Sequence, residues 1–133
     1  MSETIPHNAL IVVADGAKAV LLRNTGRNGE IALREESHLS PRNLAEEGPS
    51  GSRPEDQTPR QTDEATFAKQ LAQHLFTMHE RQAFEALVLA ADPQTLGQMR
   101  SVMHKTVEAS IIRTLPKDLT NHSTQELEKV LAK

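Results

Sequence analysis

Two stretches of this chain are apolar at every position, and each stops at an aspartate. Ala9-Leu10-Ile11-Val12-Val13-Ala14 runs into Asp15-Gly16, and Ala86-Leu87-Val88-Leu89-Ala90-Ala91 runs into Asp92-Pro93. A strand with one wet face alternates polar and apolar residues, whereas an unbroken apolar run reads as a strand covered on both faces. The chain must therefore build a sheet between two layers, with these two segments at its centre. In open α/β sheets, ligands collect at the carboxyl ends of parallel strands. Asp15 and Asp92 mark that rim.

The other elements follow from turn chemistry and periodicity. Strand one spans residues 8–14, and Asp15-Gly16 turns it into strand two over Ala17–Asn24. Thr25-Gly26-Arg27-Asn28-Gly29 forms the next turn. Strand three follows, with Ile31 and Leu33 alternating against Glu30 and Arg34, a mixed pattern suited to a sheet edge. Thr62 is the expected N-cap of helix one, with Asp63 and Glu64 in its first turn. Ala68, Leu71, Ala72, Leu75 and Phe76 then recur at helical spacing to about Glu80.

Strand four is Glu85–Ala91. Asp92-Pro93 opens helix two, which places Leu96, Met99 and Met103 on one face. Strand five is Ala109–Leu115, and Ser123-Thr124-Gln125-Glu126 is a capping box for a last helix that buries Leu127, Val130 and Leu131. The order is βββαβαβα. Right-handed crossovers set strand four beside strand one and strand five outside it. The expected fold is α/β: a mixed five-stranded sheet of order 3-2-1-4-5, the ribonuclease H-like arrangement.

Length and composition narrow the function. A chain of 133 residues fits one domain, 1–133, large enough for its own core. The absence of cysteine removes disulfides and thiol chemistry. With no Trp, no Tyr and only Phe67, Phe76 and Phe84, stacking of nucleic-acid bases on aromatic rings is disfavoured. A formal net charge of −3 gives no general attraction for phosphate backbones, so any RNA contact falls to local arginines. No stretch approaches the roughly 20 apolar residues of a membrane span, and the N-terminus lacks a basic leader. The expectation is a cytoplasmic protein with no membrane partner.

Residues 41–64 break the pattern. They hold four of the seven prolines and set Arg42, Arg53 and Arg60 against six acids. A loop of this length in a compact domain is either functional or a solvated insertion. Its candidate contacts are Gly48, Ser50, Gly51, Arg53 and Arg60. Gly48-Pro49-Ser50-Gly51-Ser52 is no phosphate loop, because no strand precedes it and no helix directly follows.

The strand-end residues Asp15, Gly16, Asp92, Lys117 and Asp118 form a candidate functional edge. Gathered carboxylates suit magnesium and two-metal phosphodiester hydrolysis, with Asp15 and Asp92 as candidate ligands. Each residue also has a structural explanation. Asp15 makes the turn, Asp92 caps a helix, and Asp118 pairs with Lys117 or Arg113 or caps its own turn. The six histidines lack zinc-ligand spacing. Arg100, His104 and Lys105 form either an exposed basic face of helix two or an RNA contact.

Four motifs carry a family resemblance. Val13-Ala14-Asp15-Gly16-Ala17-Lys18-Ala19 resembles the "ADGARAR" opening of bacterial host-attachment proteins, and Thr66-Phe67-Ala68-Lys69-Gln70-Leu71 resembles their "FAxxLA" helix. Pro93-Gln94-Thr95-Leu96-Gly97-Gln98-Met99-Arg100 is similar to "PxxLGxLR", and Lys117-Asp118-Leu119-Thr120 to "KDLT". That family is similar in fold to the middle domain of archaeo-eukaryotic peptide-chain release factors. Those factors carry Gly-Gly-Gln on the loop before the first helix. Here the matching loop reads Gly48-Pro49-Ser50-Gly51-Ser52-Arg53-Pro54, and no Gly-Gly-Gln occurs in the chain.

The resemblance implies a non-enzymatic binding module, associated with the ribosome or RNA and without peptide-release chemistry. Two alternatives are a metal-dependent phosphodiesterase or nuclease on the strand-end aspartates, and a self-associating scaffold, a homodimer paired through the third strand.

Overall fold

The computed structural model describes residues 5–27, 30–40 and 61–132. Its five strands are β1 (Leu10–Ala14), β2 (Ala19–Asn24), β3 (Leu33–Leu39), β4 (Leu87–Ala91) and β5 (Ile111–Leu115). The helices are α1 (Gln61–Glu80), α2 (Pro93–Val102), α3 (Lys105–Ala109) and α4 (Thr124–Ala132). The sheet runs β3-β2-β1-β4-β5, as expected from sequence. β1 pairs antiparallel with β2 and parallel with β4, so that Leu10 meets Leu87 and Ala14 meets Ala91. β4 and β5 are also parallel.

Every residue of β1 and β4 is buried, because two layers cover them. Leu10, Val12 and Ala14, with Leu87, Leu89 and Ala91, pack beneath α1, α2 and α3 through Phe67, Leu71, Leu75, Leu96, Met99 and Val107. The intervening Ile11, Val13, Val88 and Ala90 face Leu127 and Leu131 on α4 and Leu119 in the segment before it, joined by Ile5 and Ala9. Strand periodicity alone divides the apolar run between two cores. Each fully buried Leu, Val or Phe side chain in them is worth about 1.5–3 kcal/mol.

Three local features depart from the sequence expectation. β3 runs from Leu33 to Leu39, starting later and extending further than the pattern around Ile31 and Leu33 indicated. Its Glu35–His38 stretch looks polar because this edge strand leaves most of that stretch exposed. A register shift leaves Glu36 opposite no β2 residue, since Leu21 meets Ser37 and Leu22 meets Glu35. α1 begins at Gln61, so Thr62 lies inside its first turn and residues 61–64 belong to the helix rather than to the preceding loop.

Helix two divides. α2 ends at Val102, with Met103 extended at φ −79 and ψ 138, and the five-residue α3 follows. His104 restarts the helix: its Nδ1 accepts the Thr106 amide at 3.2 Å, and its ring lies 4.4 Å from that of Phe76. Consequently β5 starts at Ile111, because Ala109 is still helical.

The start of β1 is tied to the β2–β3 loop by Asn24, which is fully buried. Asn24 Nδ2 donates to the carbonyls of Ile5 at 2.9 Å and Pro6 at 3.1 Å. Its Oδ1 accepts the amides of Gly26 at 3.0 Å and Ala32 at 3.1 Å. A Cβ at Gly26 would sit 2.3 Å from the Glu30 carbonyl oxygen, so the loop closes only on glycine. Asn28 and Gly29 of the expected turn lie outside the described residues.

Candidate functional site

Parallel pairing sets the C-terminal ends of β1, β4 and β5 at one rim, so Asp15, Asp92 and Lys117-Asp118 all leave the sheet on the same side. Asp15 Oδ1 accepts the amides of Ala17 and Lys18, both at 2.8 Å, which folds Asp15-Gly16 into the β1–β2 turn. Asp92 Oδ2 caps α2 by accepting the Thr95 amide at 3.1 Å, with Pro93 in the first turn. Asp118 Oδ1 accepts the Thr120 amide at 3.0 Å. All three carboxylates thus perform the local structural work that their sequence contexts allowed.

Thr120 links two of them. Its hydroxyl donates to Asp118 Oδ1 at 2.6 Å and lies 3.3 Å from Asp15 Oδ2. The two contacts share one hydroxyl proton, with the shorter one to Asp118 dominant and the one to Asp15 a weaker second branch. The Thr120 hydroxyl and then its amide hold the Asp118 carboxyl below the usual carboxylate range against partial desolvation, with Lys18 and His122 adding favourable charge. Asp118 therefore settles by capping its own turn.

Each of the three carboxylates spends one oxygen on a backbone amide, namely Asp15 Oδ1, Asp92 Oδ2 and Asp118 Oδ1. Among the described residues no cluster of three or more His, Asp or Glu side chains is arranged to hold a metal ion.

Other sequence candidates lie elsewhere. Gly48, Ser50, Gly51, Arg53 and Arg60 fall outside the described residues. Arg100 is eight residues along α2 from Asp92, roughly 12 Å below the rim at 1.5 Å per residue. It contacts Glu108 of α3 at 3.5 Å and does not join the edge. His104, grouped with Arg100 from sequence, is exposed but serves as the α3 cap.

Sequence reading passed over Lys18 and Thr120 as site residues. The Asp-x-Thr spacing of Asp118 and Thr120 was a usable signal for a side-chain-capped turn. Their link to Asp15, 105 positions away, was not.

A cavity of about 460 Å³ opens at the opposite rim, between residues 6–9 and 82–86. Arg23 also lines it and bridges β3 to both walls. Its guanidinium pairs with Glu36 through Nε at 3.0 Å and Nη2 at 3.1 Å. Nη1 donates to the carbonyls of Asn8 at 3.0 Å and Ala83 at 2.8 Å. Asn8 and Gln82 on the two walls adopt left-handed backbone angles, φ 73 and φ 60.

Residues 8–131 match the family model described as Bacterial archaeo-eukaryotic release factor family 12. The chain belongs to that family. No curated protein matches it. The match runs from before the first strand of this release-factor family domain into α4. Within the domain, Phe67 and Leu71 of the α1 motif are core residues, as are Leu96 and Met99 of the α2 motif. The two motifs at the rim, Ala14-Asp15-Gly16 and Lys117-Asp118-Leu119-Thr120, are those joined by the Thr120 hydroxyl.

Proposed function

We propose that this release-factor family domain is a non-enzymatic binding module that engages the ribosome or its RNA. The contact surface would be the rim of Asp15, Gly16, Asp92, Lys117 and Asp118, together with Arg53 and Arg60 of the 41–60 segment. Membership in a bacterial release-factor family is the observation that carries the reading, since release factors act on the ribosome. The chain contains no Gly-Gly-Gln, so binding is proposed without peptide release. The rim supports this division, because its carboxylates are committed to turns and a helix cap. Exposed Lys18 and Lys117 are the cations it presents to a phosphate backbone.

The motif likeness to host-attachment proteins fits the same reading if attachment is an indirect consequence of an intracellular role. No helix among the described residues is long and apolar enough to cross a membrane.

Co-sedimentation of the purified protein with ribosomes tests the proposal. Association should fall with rising salt and with Arg53→Ala, Arg60→Ala or Lys117→Ala, each removing about one phosphate contact. No association at low salt refutes it.

A further inference from the structure

The parallel ladder between β1 and β4 stops one rung short where the 460 Å³ cavity opens. The Leu10 amide donates to the Ala86 carbonyl at 2.9 Å, and the next rung would join the Ala86 amide to the Asn8 carbonyl. Since the Leu87 amide turns to the Ser110 carbonyl on the β5 side, the Ala86 amide points the other way, toward Asn8. Asn8, however, is third in the turn that the Ala9 amide closes on the Pro6 carbonyl at 3.1 Å, a position suited to its φ of 73. Its carbonyl accepts Arg23 Nη1 at 3.0 Å instead. Among the described residues the Ala86 amide is left without an acceptor. Backbone N–H groups withdrawn from water and left unpaired are rare and costly.

Arg23 brings a second spare donor to the same cavity. Of the five N–H groups on a guanidinium, Nε and one on Nη2 go to Glu36, and both on Nη1 go to the Asn8 and Ala83 carbonyls. The other Nη2 N–H is unclaimed among the described residues, on a side chain only 14 % exposed. Both carbonyls within its reach are already used. The inner wall therefore offers donors, and a guest must bring acceptor oxygens. The volume lies within the range of about 300–1,000 Å³ usual for small-ligand sites. Charge narrows the choice, because Glu36 neutralises Arg23 and the exposed Glu85 also lines the cavity. A dianion would meet two carboxylates with one guanidinium to offset them.

We propose that this cavity is a binding site for a small monoanionic carboxylate, whose oxygens accept the Ala86 amide and the spare Nη2 N–H of Arg23. The ligand completes the interrupted ladder by supplying the acceptor that Asn8 gives up to Arg23. Hydrogen bonds in which both partners are charged are the stronger ones, which favours a carboxylate over a neutral carbonyl compound here. The site lies at the opposite rim from Lys117 and Asp118, so it does not depend on ribosome binding.

Amide proton–nitrogen NMR of the full chain tests this, with N-acetylglycine, its methyl ester, inorganic phosphate and chloride as probes. The Ala86 amide signal should move saturably with N-acetylglycine, with a Kd of about 1–10 mM, and stay in place with the ester and with chloride. Phosphate should bind at least about threefold more weakly than N-acetylglycine. Arg23→Lys should weaken N-acetylglycine binding at least about tenfold, because an ammonium lacks the guanidinium fork. In the unmodified protein, an Ala86 signal that ignores N-acetylglycine, or that moves equally with the ester or chloride, overturns the proposal. Phosphate binding as tightly as N-acetylglycine overturns the choice of a monoanion.

Discussion

Replacing Asn24 by aspartate changes one atom group at the point where three chain segments meet. The wild-type amide donates twice, to Ile5 and Pro6, and accepts twice, from Gly26 and Ala32. A carboxylate keeps the two acceptor bonds but faces two carbonyl oxygens with no proton and no exposure to water. A neutral carboxylic acid restores one donor. The lower-energy choice at neutral pH sets the ceiling. Losing one hydrogen bond costs about 1 kcal/mol. Protonating a group of unfolded pKa about 3.9 at about pH 7 costs roughly 4 kcal/mol, at 1.36 kcal/mol per unit. Asn24→Asp should therefore cost up to about 5 kcal/mol near pH 7 and only about 1 kcal/mol near pH 4.

The sign follows from linkage. The site raises the introduced carboxyl's folded pKa above its unfolded value, so the ionisation penalty is absent at low pH and grows as pH rises. Urea denaturation followed by far-ultraviolet circular dichroism suits a chain without Trp or Tyr, and the wild-type curve at each pH is the reference. A wild-type-minus-variant difference that stays near 1 kcal/mol across this pH range would refute the satisfied, dry geometry assigned to Asn24.

Two further outcomes are expected. Gly97 lies within α2, and a Cβ there meets nothing within 4 Å, so Gly97→Ala should stabilise the protein by about 0.5–1 kcal/mol in the same urea assay. Thr120→Val removes the largest influence holding the Asp118 carboxyl low, so its titration, followed by carboxyl carbon NMR, should move upward while the Thr120 amide bond keeps part of the depression. In the wild type that depressed carboxyl favours the fold above the ordinary carboxylate range, and this support is lost as pH falls through its folded pKa. An unmoved titration would show that the hydroxyl does not govern it.

What the amino-acid order determined by itself was everything carried by local period and short spacing. The two apolar runs identified β1 and β4 and placed them at the sheet centre, and the crossover rule then ordered all five strands. Asp92 was legible as a helix cap. So was the capping box, in which the Ser123 amide donates to Glu126 Oε1 at 2.9 Å and the Glu126 amide to Ser123 Oγ at 3.2 Å. These bonds join residues three apart, so the chain encodes them without needing its fold.

The tertiary structure decided the rest, because the partners lie far apart in sequence. Thr120 reaches Asp15 across 105 positions, Glu128 covers the β3 edge across 95, and Arg23 reaches Ala83 across 60. β3 could not be bounded by alternation, since an edge strand with a bulge is not required to alternate. Asn24 read only as the last residue of a strand, and the contact of the His104 ring with Phe76, 28 positions away, appears only in the fold. A local pattern states which face a residue needs. Which distant group arrives to satisfy it is settled only when the layers close.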